Sequence, residues 1–298
     1  MGFEVFLKSV FAPGMAALLT VAILAWKTGP VSPLARRAGA SAWIAGVFAG
    51  WWLSFGLPWP VESSVDWPIW GAVGAWLLSI CVPPAEDGQA RARTLGLAIL
   101  LGAGVAGYAL PMTEPLVPRF WEKGDWYLVA GVGGLLAGLA AAGSLAAHAR
   151  FTAARSLPAL VAWCGLASGL LMETGSARAA HAAGIGAAAA GAMMLFSWLR
   201  PAGSWHRHAG VPLVGLLALL SIQHYGFGDE VVAWPLMVLA LPGLLHAAWA
   251  RFAPQHGAAW RDALTLVLLT VLPLAIAWAI LLTGAPDDPY GGYGNYGG

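Results

Sequence analysis

The run ALTLVLLTVLPLAIAWAILL, Ala263 to Leu282, carries no charged residue, with Arg261 and Asp262 before it and Gly284 just after. An α-helix needs about 20 apolar residues to cross the hydrocarbon of a bilayer. This stretch therefore predicts a transmembrane helix, and the rest of the chain repeats its pattern. Nine further apolar runs precede it: Phe3–Trp26, Ser41–Leu57, Trp67–Val82, Thr94–Leu110, Trp126–Ala147, Leu157–Met172, Ala179–Leu199, Val211–Phe227 and Val231–Ala250. Pro, Gly or charge punctuates each break. The third and sixth runs are short for a full crossing. The expectation is an all-α, polytopic transmembrane helical bundle of about ten spans.

Composition agrees. The 298 residues are 59% hydrophobic and 10% charged, with mean hydropathy +0.71, whereas soluble domains carry roughly 25% charged residues. So little charge cannot cover a globular surface, and lipid is the solvent that removes the difficulty. A net charge of +1 offers no basic face for nucleic acid. The bilayer is the expected partner, with other membrane subunits docking through glycine-rich faces. Arginine outnumbers lysine twelve to three in an Ala-, Gly- and Trp-rich chain, which fits a bacterial genome of high GC content and residence in the cytoplasmic (inner) membrane. The run from Phe11 to Trp26 lacks a small-residue cleavage site and reads as a retained first span.

The cations orient the spans. Lys27, Arg36, Arg37, Arg91, Arg93, Arg150, Arg155, Arg200, Arg207, Arg251 and Arg261 follow odd-numbered runs, so eleven of the fifteen share one side; Lys8, Arg119, Lys123 and Arg178 lie on the other. Positive charge is retained in the cytoplasm, which predicts that both termini are non-cytoplasmic. Trp59, Trp67, Trp121, Trp126 and Trp234 then mark the outer boundary, and Trp26, Trp198, Trp249 and Trp260 the inner one. Trp51, Trp52, Trp163 and Trp278 sit deeper and are expected to pack between helices. Residues 1–284 form the bundle. Residues 285–298, ending in DDPYGGYGNYGG, are a Gly/Tyr-rich tail expected to be disordered.

Within the spans, Gly46/Gly50, Gly134/Gly138 and Gly165/Gly169 are GxxxG pairs that let helix backbones approach. Pro242 and Pro273 fall inside the ninth and tenth runs and are expected to kink them. Related Trp-containing entries to the third, fifth and ninth runs hint at duplicated hairpins. Cys81 and Cys164 lie in apolar runs with no metal or disulfide spacing and are expected to be buried thiols.

No Asp, Glu, Lys or Arg occupies the middle of a span, which argues against proton coupling through a buried carboxylate and against a voltage sensor. No GxSxG elbow, HExxH pair or P-loop is present. Three histidines lie inside spans. His246 is near an inner end and is expected to snorkel. His181 and His224 lie about 3–5 Å inside the outer boundary by helical rise, level with Glu173, so these three are the candidate metal-ligating set. Two function classes follow. One is a transport or membrane-complex scaffold subunit handling a neutral or lipidic ligand. The other is a membrane enzyme or metal/cofactor-binding protein acting at the outer face through His181 and His224. The sequence names no cofactor and no catalytic residue.

Overall fold

A computed structural model of the chain describes residues 2–27, 33–57, 59, 66–82, 90–116, 122–200, 205–227, 233–254 and 258–284. The tail 285–298, Asp229, Glu230 and Trp121 lie outside the described residues. Among the described residues there are helices and no strand. The first run is one continuous rod: α1 (Gly2–Phe6), a π turn (Leu7–Phe11) and α2 (Ala12–Lys27). Then follow α3 (Pro33–Phe55), α4 (Trp67–Cys81), α5 (Ala90–Thr113), α6 (Lys123–Arg150), α7 (Ala153–Glu173), α8 (Ala177–Leu199), α9 (Gly210–Phe227), α10 (Ala233–Val238), α11 (Leu241–Phe252) and α12 (Ala259–Gly284).

Seven helices among the described residues are long and apolar enough to cross a membrane. They correspond to the first, second, fourth, fifth, sixth, seventh and tenth runs. The sixth is full length, at 21 residues. The third, α4, is short, at 15 residues or about 22 Å. The ninth run is interrupted: α10 stops at Val238 and α11 starts at Leu241. Pro242, expected to kink this helix, lies in the first turn of α11 and ends the preceding one. Pro273 has no such effect, and α12 runs through it.

The helices close on themselves. In the order α3, α4, α5, α6, α11, α12, α7, α8 and back to α3, each packs on the next. Inside this ring lies α9, packed on α3, α4, α5, α6, α7 and α8. From Gly210 to Leu220 it is apolar around its whole circumference, and Val211, Leu213, Leu216, Leu217, Leu219 and Leu220 are all buried. A helix apolar on every side is stable only when enclosed. At 18 residues, α9 need not reach the headgroups, because protein surrounds it. Outside the ring, α2 lies against α3 and α8.

Glycine sets the closest approaches. A Cβ on Gly134 would lie 2.5 Å from the Gly102 carbonyl oxygen, which brings α6 onto α5, and a Cβ on Gly46 would lie 2.7 Å from both Ala189 Cβ and the Pro13 carbonyl. The Gly165/Gly169 pair behaves otherwise. Gly165 is exposed with nothing within 4 Å, and Gly169 has only Trp278 at 4.0 Å, so this pair mediates no close approach among the described residues. Among the deep tryptophans, Trp51 and Trp163 are buried, while Trp52 is 56% exposed. Cys164 is buried as expected, whereas Cys81, at the end of α4, is exposed.

Hydrogen bonds separate the two ends. Loops after odd-numbered runs meet one another: Gly39 N–H donates to Trp205 O at 2.8 Å, His206 bonds Phe151 O at 2.9 Å, His208 bonds Ser79 O at 2.9 Å, Arg150 donates to Ala253 O, and Arg155 pairs with Asp262 at 2.8 Å. Loops after even-numbered runs meet at the opposite end, where Arg178 pairs with Asp66 at 3.1 Å and Tyr108 donates to Trp67 O at 2.9 Å. The cation-rich loops thus share one end.

Candidate functional site: an apolar cavity beside a broken helix

The ninth run breaks at a proline. Pro242 has no N–H to give the Val238 carbonyl, so one rung of the helical ladder is missing there. The chain makes a tight turn instead, closed by Ala240 N–H to Met237 O at 3.1 Å. Such a break leaves carbonyls open, and hydrocarbon offers them no donor. Trp163 on α7 supplies one: its indole Nε1–H donates to Leu239 O at 2.8 Å with both groups buried.

Beside this turn lies a cavity of ≈ 210 Å³. Its walls are α6 from Leu128 to Ala140, Trp163 of α7, α9 from Val214 to Tyr225, and the turn itself at Met237, Leu239 and Ala240. The twelve helical steps from Leu128 to Ala140 on α6 give it a length of about 18 Å. Among the described residues, no charged side chain lines it. The hydroxyl of Ser221 is committed to Leu217 O at 2.7 Å and the indole N–H of Trp163 to Leu239 O. The interior therefore suits an elongated apolar body. An apolar cavity of about 150 Å³ already stays dry and accepts benzene.

At the even-loop end the structure places the three candidate ligands in different surroundings. His181 Nε2 lies 2.7 Å from Ser9 Oγ, which the π turn presents to α8, and its ring meets Phe55 edge-on at 5.0 Å. Arg178, one turn earlier on α8, stacks its guanidinium over Phe55 at 4.7 Å and Trp51 at 5.6 Å and bonds Asp66. His224 is buried against the Thr174 carbonyl, with Nε2 unpartnered, and Glu173 is exposed. Among the described residues, no three His, Cys, Asp or Glu side chains gather as a metal-holding group.

The odd-loop end holds histidines that the reading of the spans passed over. His148 donates Nδ1–H to Ser144 O at 2.7 Å, and its ring lies 5.8 Å from that of His206. His206, between spans, has its pKa pushed down to about 3, first by burial and then by neighbouring His148. Burial also lowers His208. The His206-Arg207-His208 run in a short loop was the available signal. His246 does not snorkel: it is buried, with Nε2 at 3.1 Å from Leu266 O and 2.9 Å from Thr270 Oγ1.

No protein-family model, curated protein or solved structure matches this chain.

Proposed function

We propose that the chain is a ten-span protein of the bacterial inner membrane, with both termini non-cytoplasmic, that holds a neutral lipidic ligand as a transport or membrane-complex subunit. The observation that carries this reading is the interrupted ninth segment lining an uncharged cavity. Non-helical backbone at membrane depth is tolerated where it is buried in protein or lines a cavity, and discontinuous helices form the binding sites of many transporters. The absence of charge among the described residues of the cavity wall fits a ligand recognised by apolar contact.

Lipid extraction followed by mass spectrometry of the purified protein tests the cavity. An apolar molecule should co-purify with wild type and be lost from Ala218→Phe, which fills the cavity from α9. Equal recovery from the two proteins ends the reading. Reporter fusions at the C-terminus and Arg207 test the orientation: a cytoplasmic C-terminus with external Arg207 reverses it.

A further inference from the structure

The geometry points to a second, chemical function: Ser9 and His181 form a nucleophile–base pair, with Arg178 beside it, that takes the acyl group of a membrane-lipid ester. The pair is close, with Ser9 Oγ and His181 Nε2 2.7 Å apart, inside the hydrogen-bond range over which a base activates a hydroxyl. The partners are 172 residues apart in sequence and meet because the π turn interrupts the first rod at Leu7–Phe11. Such turns are frequent at functional sites.

A second observation asks for a ligand. Arg178 Nε is buried and has no hydrogen-bond partner, although the same guanidinium bonds Asp66 through Nη2. A buried donor without an acceptor costs about 1–3 kcal/mol. Arg178 stands three residues before His181 on the same helix face, and both pack on Phe55. A carbonyl oxygen arriving at this place satisfies the orphan donor.

Depth selects the substrate. Glu4 and Lys8 form an exposed ion pair at 2.6 Å, and an exposed charge pair belongs at the headgroup level. Ser9 follows Lys8, about 1.5 Å deeper, where ester carbonyls of membrane lipids lie. Phe6 and Val10 on the same rod are exposed, so lipid reaches this segment.

In the reaction, Ser9 Oγ bonds to the ester carbonyl carbon while its proton passes to His181 Nε2. The carbonyl oxygen takes the negative charge beside Arg178. The bond to the alcohol oxygen breaks, and the alcohol leaves with the proton from His181. Water then cleaves the acyl-serine by the same route, releasing a carboxylic acid.

The test uses the full chain in lipid nanodiscs with an alkyl fluorophosphonate, which phosphonylates activated serines. Mass spectrometry should find one adduct, on Ser9. His181→Gln should label at least about a hundredfold more slowly, the lower end of what a general base contributes, at an unchanged melting temperature. Ser54→Ala should label as wild type. No adduct on wild type, an adduct elsewhere, or wild-type labelling of folded His181→Gln each overturns the assignment. The wild-type experiment decides without any variant. Labelling of Ala218→Phe at the wild-type rate separates this function from the cavity.

Discussion

Gly143 and Gly243 bring the backbones of α6 and α11 into contact, so that a Cβ on Gly143 would overlap the Gly243 carbonyl, and a Cβ on Gly243 would lie 2.5 Å from Ala140 Cα. No flexible side chain is present to yield. Backbone must move, and moving it pushes α11 away from α6.

Gly143→Ala should therefore destabilise the bundle by at least the ~1–3 kcal/mol typical of an overpacked core. Gly165→Ala, in open space, should leave stability unchanged or slightly raised, since alanine is the better helix former. Thermal melts of the two variants in one detergent check the contrast. Equal losses would contradict the packing described.

The Arg155–Asp262 pair is asymmetric. Asp262 has 2% of its side chain exposed and Arg155 has 28%. Removing the cation strands a carboxylate away from water, whereas removing the acid leaves a cation that reaches solvent. Arg155→Ala should cost more than Asp262→Ala, approaching the ~3–5 kcal/mol of a broken buried pair. The double variant should recover part of the loss. Chemical denaturation of the three proteins measures the order.

His206 predicts acid sensitivity. Its folded pKa, about 3, lies below the unfolded value of about 6.5. The stability tied to its neutral form is complete above the unfolded pKa and is lost as pH falls towards the folded one, because only the unfolded chain takes up the proton. Between pH 6.5 and 5 the loss is about 2 kcal/mol. His206→Gln keeps a donor for Phe151 O but does not titrate, so its melting temperature should fall less between pH 7.5 and 5.

Trp163→Phe removes the indole donor and leaves the Leu239 carbonyl unpaired. A loss of about 1–3 kcal/mol is expected, with faster amide exchange confined to residues 237–243. Exchange mass spectrometry should find α12 unchanged. Protection lost evenly across the protein would show that Trp163 acts through core packing.

The helices were legible because lipid imposes a simple rule on sequence: nine of the ten apolar runs appear as continuous helical rods, the second beginning eight residues before its run, and the ninth appears as two, α10 and α11. What interrupts them was less legible. Pro242 and Pro273 are the same residue in similar runs, yet one ends a helix and the other rides within it. At the break, Leu239 O is met by the indole of Trp163, 76 residues away in sequence, and local sequence does not reveal which carbonyl a distant indole will meet. The candidate site divides likewise. His181 was legible as a polar residue near a boundary, but its neighbour Ser9 lies 172 residues earlier in the sequence. His148 and His206 escaped notice because the loops that join them converge only in three dimensions.

Enclosure of α9 has a consequence for biogenesis. The ribosome delivers α3 to α8 before the segment they surround, and α10 to α12 after it. Until Gly210–Phe227 enters, the earlier helices face an interior with no occupant, and helices in lipid associate through the contacts they find. Those contacts are provisional. The translocon must admit α9 between neighbours already in the membrane, and only then can α11 and α12 complete the wall. A nascent chain arrested before α9 is thus a natural client for membrane chaperones and proteases, while one arrested after α12 is not.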